Sequence, residues 1–267
     1  MNKDFFLDLK TQAQQDLSQA HLSQHFYSAQ HIIESSDCTV SGTGTWSAFK
    51  NNDTLIYSDN TVSGKKHWIS GVSLCKWVVV GAIENNQKIV VLIDADKFSI
   101  EPVSTVGMEN TLTVNFVCDH ATAVRLFDYT DFKMCKISRF NLLSFVTNHL
   151  GLAQALFSDI DNYAQGQNFD YLKKKIKLDI EVLQLFWEKE IDYNLLQTTN
   201  FEWLHRYNVM YAFAKKTLFS VVSLVTELTG SGIYDTSIQT HQRYKDALIY
   251  STHMKNISTA MDLVDFR

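Results

Sequence analysis

Proline is nearly absent from this 267-residue chain, occurring only at Pro102, so no helical pattern is interrupted by a ring that removes a backbone donor. The four cysteines, Cys38, Cys75, Cys118 and Cys135, are widely scattered and form no CxxC pair. That spacing excludes a zinc knuckle and a disulfide-stapled secreted domain, and a reducing cytoplasm fits best. No signal peptide is read at the N-terminus, which starts with Asn2, Lys3 and Asp4 and is broken by Asp8, Lys10 and Asp16. No apolar run approaches the roughly 20 residues of a bilayer span, so no membrane partner is expected. A basic excess is also lacking: the formal charge is -5, which speaks against nucleic-acid binding. The one basic run, Lys173 to Lys175 with Lys177, interleaves Ile176 and Leu178 and reads as the solvated side of a helix. Residues 41–46, SGTGTW, lack the lysine of a phosphate loop. His21 and His25 sit four apart, with His31 beyond, but no HExxH frames them; they read as polar surface histidines, and no metal is expected. No nucleophile elbow is present.

What the chain does have is burial material: 45% hydrophobic and 12% aromatic residues, enough to fill a core by packing alone. Phe6, Leu9, Ala13, Leu17 and Ala20 recur at helical spacing, predicting an amphipathic entry helix within residues 4–34 that breaks near His31. From Thr39 to about Phe127 short β-branched and aromatic runs take over. Residues 76–83 and 88–93, joined by Glu84-Asn85-Asn86-Gln87, predict a β-hairpin. Ser99 to Val103 and Thr111 to Val117 predict two further strands, the second with Leu112, Val114 and Phe116 facing inward. After Lys136, four helical patterns (138–164, 168–197, 201–229 and 238–261) predict a bundle. The chain is therefore expected to divide into an N-terminal helical segment (1–38), a β domain (39–135) and a C-terminal helical domain (136–267).

Three separated motifs then point to one family. Gly64-Lys65-Lys66-His67-Trp68-Ile69-Ser70-Gly71, continued by Trp77 and Val80-Gly81-Ala82, resembles the flavin-facing strand of the acyl-CoA dehydrogenase superfamily, and the Ser-Gly spacing is similar to that of its two-component monooxygenases. Val106-Gly107-Met108-Glu109-Asn110-Thr111 resembles the segment leading into the family's next strand. Ser231-Gly232-Ile233-Tyr234, then Gln242, Lys245-Asp246 and His253, resembles the monooxygenase pattern in the last helices. The resemblance implies an α+β fold with a short N-terminal helix, a central antiparallel β-barrel-like domain and a C-terminal four-helix bundle. It also implies a flavin cofactor, FAD or FMN, including reduced flavin delivered by a partner reductase. Thr43, Thr45, Trp68, Ile69, Ser70, Gly230, Ser231 and Gly232 become cofactor contacts, and Ser70 and His253 catalytic groups, the imidazole moving a proton near pH 7. By residue type alone, Trp68 and Trp77 also read as core aromatics, Ser70 as a turn residue, His253 as a packing histidine and Gly230-Ser231-Gly232 as a helix stop.

The departures from the family pattern narrow the activity. An acyl-CoA dehydrogenase needs a carboxylate base, and neither family position, here Ile249 to Thr252 or Arg139 to Asn141, supplies one. The cofactor-holding Arg-x-x-x-Phe-Gly segment has no counterpart near 166–171, and Glu109 stands where the family carries Arg. Only about 40 residues precede the first match, where the family has a whole helical domain. The expected function is a monooxygenase-like flavin oxidoreductase acting on a small organic or acyl substrate, homo-oligomeric and cytoplasmic. The alternative is a non-catalytic or partner-dependent relative, acting beside a longer family member.

Overall fold

The computed structural model describes residues 3–50, 52–105, 107–130, 132–161, 167–192, 200–230 and 239–252. Two helices, α1 (Lys3–Gln15) and α2 (Leu17–Glu34), precede seven strands: β1 (Gly44–Ser47), β2 (Ile56–Ser58), β3 (Thr61–Ile69), β4 (Trp77–Glu84), β5 (Gln87–Asp94), β6 (Ser99–Pro102) and β7 (Val114–Asp128). Helices α3 (Phe132–Asp161), α4 (Gln167–Asp192), α5 (Asn200–Thr229) and α6 (Gln239–Thr252) follow. The α+β class is the expected one. These elements form two compact units, a helical one drawn from Met1–His21, Val106–Met108 and Leu142–Asp262, and a β one drawn from Leu22–Thr105 and Glu109–Asn141.

The N-terminal segment is two helices rather than one, and the break falls at Asp16 instead of near His31. The Asp16 Oδ1 accepts hydrogen bonds from the backbone N–H groups of Ser18 (2.8 Å) and Gln19 (3.2 Å), satisfying donors that a helix start leaves orphaned.

In the β unit the pairings close on themselves: β4 pairs with β2, β2 with β3, β3 with β7, β7 with β5 and β5 with β4. Strand β1 joins the edge of β4, and β6 the edge of β7. The expected all-antiparallel layout is corrected at two places, since β1 and β2 both run parallel to β4. The predicted hairpin is β4–β5, turned by Asn85 and Asn86, both at positive φ as a two-residue hairpin turn requires. Along these strands Val78, Val80, Ile89 and Val91 enter one apolar cluster while Trp77, Val79, Val90 and Leu92 enter another. Burial on both faces explains why the two strands read as continuous apolar runs. Helix α2 covers the second cluster with Ala29, Ile32 and Ile33. Strand β7 starts at Val114, later than expected, because Glu109–Thr111 forms a 3-10 turn. Val114 and Phe116 face the core as predicted, but Leu112 is exposed, with φ 48°.

In the helical unit, short polar contacts join the helices inside an apolar interior. The Trp187 Nε1–H of α4 donates to Thr147 Oγ1 of α3 (2.8 Å), and Asn148 Nδ2 of α3 donates to the Tyr250 hydroxyl of α6 (3.0 Å). Helix α1 packs here too, with Gln14 Nε2 donating to Gln154 Oε1 and the Lys10 amine 4.8 Å from the Trp187 ring centre. Helix α5 corrects one sequence reading: its segment His205–Thr229 is long and apolar enough to cross a membrane by length and composition. Its buried residues Tyr207, Met210, Tyr211, Ala214, Leu218 and Val221 recur at three- and four-residue steps, the stripe of a core helix. Lys173 is another correction: it is buried rather than solvated, and its amine donates to the Asp161 carbonyl (2.8 Å). His21, read as a surface residue, is buried beside Phe145 and Tyr250.

His149 of α3 is fully buried between the rings of Tyr211 and Tyr250, and its Nδ1–H donates to the Phe145 carbonyl (2.7 Å). Burial lowers its pKa to about 4, with the Phe145 carbonyl opposing and Lys215 adding to the drop. A depressed folded pKa means that the native state resists protonation. The stability it contributes is complete above pH 6.5 and is lost as the pH falls toward 4, by on the order of 3 kcal/mol. Urea midpoints should therefore fall between pH 7 and 4.5, and His149→Gln should flatten that slope; an unchanged slope refutes a buried neutral imidazole.

Candidate functional site

The candidate site is built on a buried ion pair. Lys66 of β3 and the side chain of Asp53, in the loop after β1, are both fully buried, with Lys66 Nζ 2.5 Å from Asp53 Oδ2. The same amine donates to the Ala48 carbonyl (2.8 Å). The carboxylate also accepts the backbone N–H of Lys50 (2.7 Å) and of His67 (2.9 Å), and the His67 Nδ1 lies 3.6 Å away. Burial lowers the Lys66 pKa, and the charge of Asp53 opposes it. A buried charge persists only with this kind of saturation.

Directly after the pair, β3 bulges. Lys66 faces Phe116 of β7 and Ile69 faces Val114, so β3 spends three residue steps where β7 spends two. The extra step is taken by Trp68 in a left-handed conformation, φ 55°, which costs a bulky residue on the order of 1–3 kcal/mol. Two side chains grip its peptide groups. Asn115 Oδ1 of β7 accepts the Trp68 N–H (3.1 Å), and Lys50 Nζ donates to the Trp68 carbonyl (2.7 Å) and to that of His67 (3.4 Å). The bulge shifts the alternation by one residue: Ile69, three positions after buried Lys66, is fully buried in the β core, whereas Trp68 is 49% exposed. The apolar surface offered at this strand end is the indole of Trp68, and Ile69 anchors it from below.

Ser70 follows at 6% exposure. Its hydroxyl lies 3.0 Å from Thr113 Oγ1, which lies 2.8 Å from Thr111 Oγ1, a three-hydroxyl chain. The Ser70 carbonyl accepts from the buried hydroxyl of Thr45 on β1 (2.9 Å), so Thr45 and Ser70 are brought together. Thr43 is exposed, and its carbonyl accepts the Lys76 N–H (2.8 Å). Gly71 has φ 73°, and a Cβ there would lie 2.8 Å from the Leu22 and Phe26 side chains of α2. Its N–H donates to the Thr111 carbonyl (2.9 Å). The small residue after Ser70 thus serves a left-handed turn and a close helix contact, and its amide is already used.

In the helical unit the second and third motifs meet. The Asp246 carboxylate of α6 accepts the Met108 N–H (2.6 Å) and Gln242 Nε2 (2.9 Å). A Cβ on Gly107 would lie 2.6 Å from the Lys245 carbonyl, so only glycine allows that approach. Burial raises the pKa of Asp246, and the Met108 N–H and Gln242 oppose the rise. Gly230 ends α5, exposed, with φ 50°, as a helix stop does. Ser231, Gly232 and His253 lie outside the described residues.

No protein-family model matches the sequence, and no curated protein is similar to it. Solved structures are similar in fold. Butyryl-CoA dehydrogenase from Megasphaera elsdenii superposes with a TM-score of 0.81 at 13% identity, covering 97% of this chain and 79% of that one. The chain has the acyl-CoA dehydrogenase fold. The dibenzothiophene monooxygenase TdsC from Paenibacillus sp. A11-2 shares it (TM-score 0.77, 12% identity, 97% and 81% covered). So does XiaF from Streptomyces sp. in complex with FADH2 and glycerol (TM-score 0.73, 14% identity, 96% and 78% covered).

Within the acyl-CoA dehydrogenase fold, the two stretches that lack a carboxylate base hold packing residues. Arg139 and Phe140 are buried, Asn141 Oδ1 accepts from Ser28 Oγ (2.6 Å), and Tyr250 is fully buried. Sequence reasoning missed Lys50, Asp53, Thr113 and Asn115. The signal for the last two was present, because Thr111, Thr113 and Asn115 alternate as the polar face of the predicted strand. Removing Asp53 should leave the Lys66 charge buried and unpaired. Asp53→Ala should cost on the order of 3–5 kcal/mol in urea unfolding at pH 7, much of it recovered when Lys66→Met is added. A cost under about 1 kcal/mol would show that the pair does not hold this loop.

Proposed function

We propose that this chain is a flavin-dependent oxidoreductase, closer in chemistry to a monooxygenase than to an acyl-CoA dehydrogenase. The observation that carries the reading is Trp68: a bulky residue kept in a left-handed bulge, with its indole half-exposed beside a buried hydroxyl chain. Strain of this kind persists where surrounding groups over-determine it, and it clusters at ligand sites. XiaF, which shares the fold, is described with FADH2, which supports FAD or FMN as the group, including reduced flavin from a partner reductase. When bound, the flavin supplies the redox chemistry, and the protein orients it.

The chain's own residues divide that work. Trp68 gives a flat apolar surface for a ring, and Ile69 fixes the strand beneath it. Ser70 would present a hydroxyl to the ring edge, its direction set by Thr113 and its carbonyl held by Thr45. Thr43, Gly230, Ser231 and Gly232 complete the proposed contact set, and His253 would carry the proton. The absence of a carboxylate from Arg139 to Asn141 and from Ile249 to Thr252 favours the monooxygenase-like branch, because abstraction beside a thioester carbonyl requires a base there. Substrates would be small organic or acyl molecules, and the active form a homo-oligomer. One observation favours the second reading, a non-catalytic subunit working with a longer relative: the Ser70 hydroxyl is nearly covered and already bonded.

Titration with FAD and FMN, oxidised and reduced, separates the two. Binding should be weakened about tenfold by Trp68→Ala, and Ser70→Ala or His253→Ala should lower flavin-dependent oxygen consumption more than affinity. No binding of either flavin at high micromolar concentration defeats the proposal; binding without turnover supports the second reading.

A further inference from the structure

We propose that Lys50 and Asn115 are positioning residues for Trp68: by binding its carbonyl and its amide, they hold the left-handed bulge and keep the indole turned outward. The two residues come from different elements, the loop after β1 and strand β7, and neither sits on the strand that they deform. A left-handed tryptophan is not self-supporting, since local sterics favour return to the extended region. In an extended strand, successive side chains alternate between faces, and the side chain after Lys66 and His67 would change side. The clamp thus keeps Trp68 exposed directly after half-buried His67, and lets Ile69, three positions after Lys66, return to the buried side.

The Lys50 half of the clamp is charge-assisted, which makes it the stronger half. Its amine is brought down to about 7, first by burial, then by the Lys66 ammonium, with Asp53 pulling the other way. The charged and titratable groups around it are Lys66, Asp53, His67 beside Asp53, and His25 of α2, whose Nδ1–H donates to the Trp46 carbonyl (2.6 Å). His25 is held near neutrality by burial, its pKa lowered to about 4, so it adds no titration in the range where Lys50 loses its proton. As pH rises through neutrality the Lys50 bond to Trp68 loses its charge assistance while remaining a neutral hydrogen bond. The orientation of the indole should therefore loosen rather than collapse.

Orientation of the indole stands on this geometry alone; its effect on flavin rests on the function proposed above, and the two are read separately. The indole is isolated by subtracting the fluorescence of each protein's Trp68→Phe counterpart and is probed by iodide quenching. In the unaltered protein the difference signal should titrate near pH 7. Lys50→Arg, which keeps its charge, should leave the signal pH-independent and like that of the unaltered protein at low pH. Lys50→Met and Asn115→Leu should change quenching at all pH values, and Lys50→Met should weaken FMN binding about tenfold. Should Lys50→Met not fold, the quenching of Asn115→Leu decides. Quenching unmoved in folded Lys50→Met and Asn115→Leu overturns the clamp. Changed quenching with unchanged flavin affinity upholds it and counts against the flavin platform. Flavin affinity lost in Trp68→Ala but not in Lys50→Met, with quenching unmoved, removes the clamp and leaves the platform.

Discussion

The carboxylate of Asp53 is the constraint from which the rest of the candidate site follows. It takes a charged hydrogen bond from Lys66 and two backbone N–H groups, one from Lys50 and one from His67, so a single buried side chain ties a loop to a strand. Every residue at the strand end inherits its position from that junction. With Lys66 fixed and buried, the chain can reach Val114 of β7 at Ile69 only by absorbing one extra residue, and that residue is Trp68. With the loop fixed, the Lys50 side chain falls within reach of the Trp68 carbonyl. An ion pair of this burial adds little net stability over an apolar substitute, but it is unforgiving of rearrangement, because either partner alone would be stranded without water.

Strand order and hydrogen-bonding hydroxyls extend the same logic to Ser70. Strand β1 and the residue just before β7 bring Thr45 and Thr113 to Ser70, one gripping its carbonyl and the other its hydroxyl. Gly71 then turns the chain under α2, where a larger residue would meet Phe26. The Ser-Gly pair that first draws attention in the sequence thus has two different reasons. Serine is there for its hydroxyl, and glycine is there for backbone conformation and a close contact.

Much of this architecture was legible in the order of residues, and the unread part has a consistent cause. Hairpin β4–β5 was readable because burial on both faces leaves an uninterrupted apolar signature and Asn-Asn supplies the turn. The four C-terminal helices were readable because no proline interrupts their periodicity. The hairpin β2–β3 escaped, since β2 is only three residues long and its exposed Ile56 reverses the expected pattern. At the site, Trp68, Ser70 and Thr45 were legible as residue types in a motif. Their geometry was not: a bulge shifts side-chain direction by one residue, and no alternation rule survives it. Lys50 and Asp53 lay in a loop with no periodicity, and their role comes from spatial convergence with Lys66, 13 or more residues away in sequence.

The same distinction bears on chemistry. Acyl-CoA dehydrogenation calls for a carboxylate base, and at the two stretches where the resemblance would put one, this chain has packing residues: Phe140 against Tyr27, Asn141 against Ser28, Tyr250 against Asn148. Those side chains cannot exchange roles with a base without dismantling helix contacts. The hydroxyl chain from Ser70 to Thr111 is different in kind, because each member can reverse its donor direction by rotating a single bond. It can therefore offer a ring edge either a donor or an acceptor at no cost in packing. That versatility would suit the flavin proposed above, whose ring changes protonation with oxidation state.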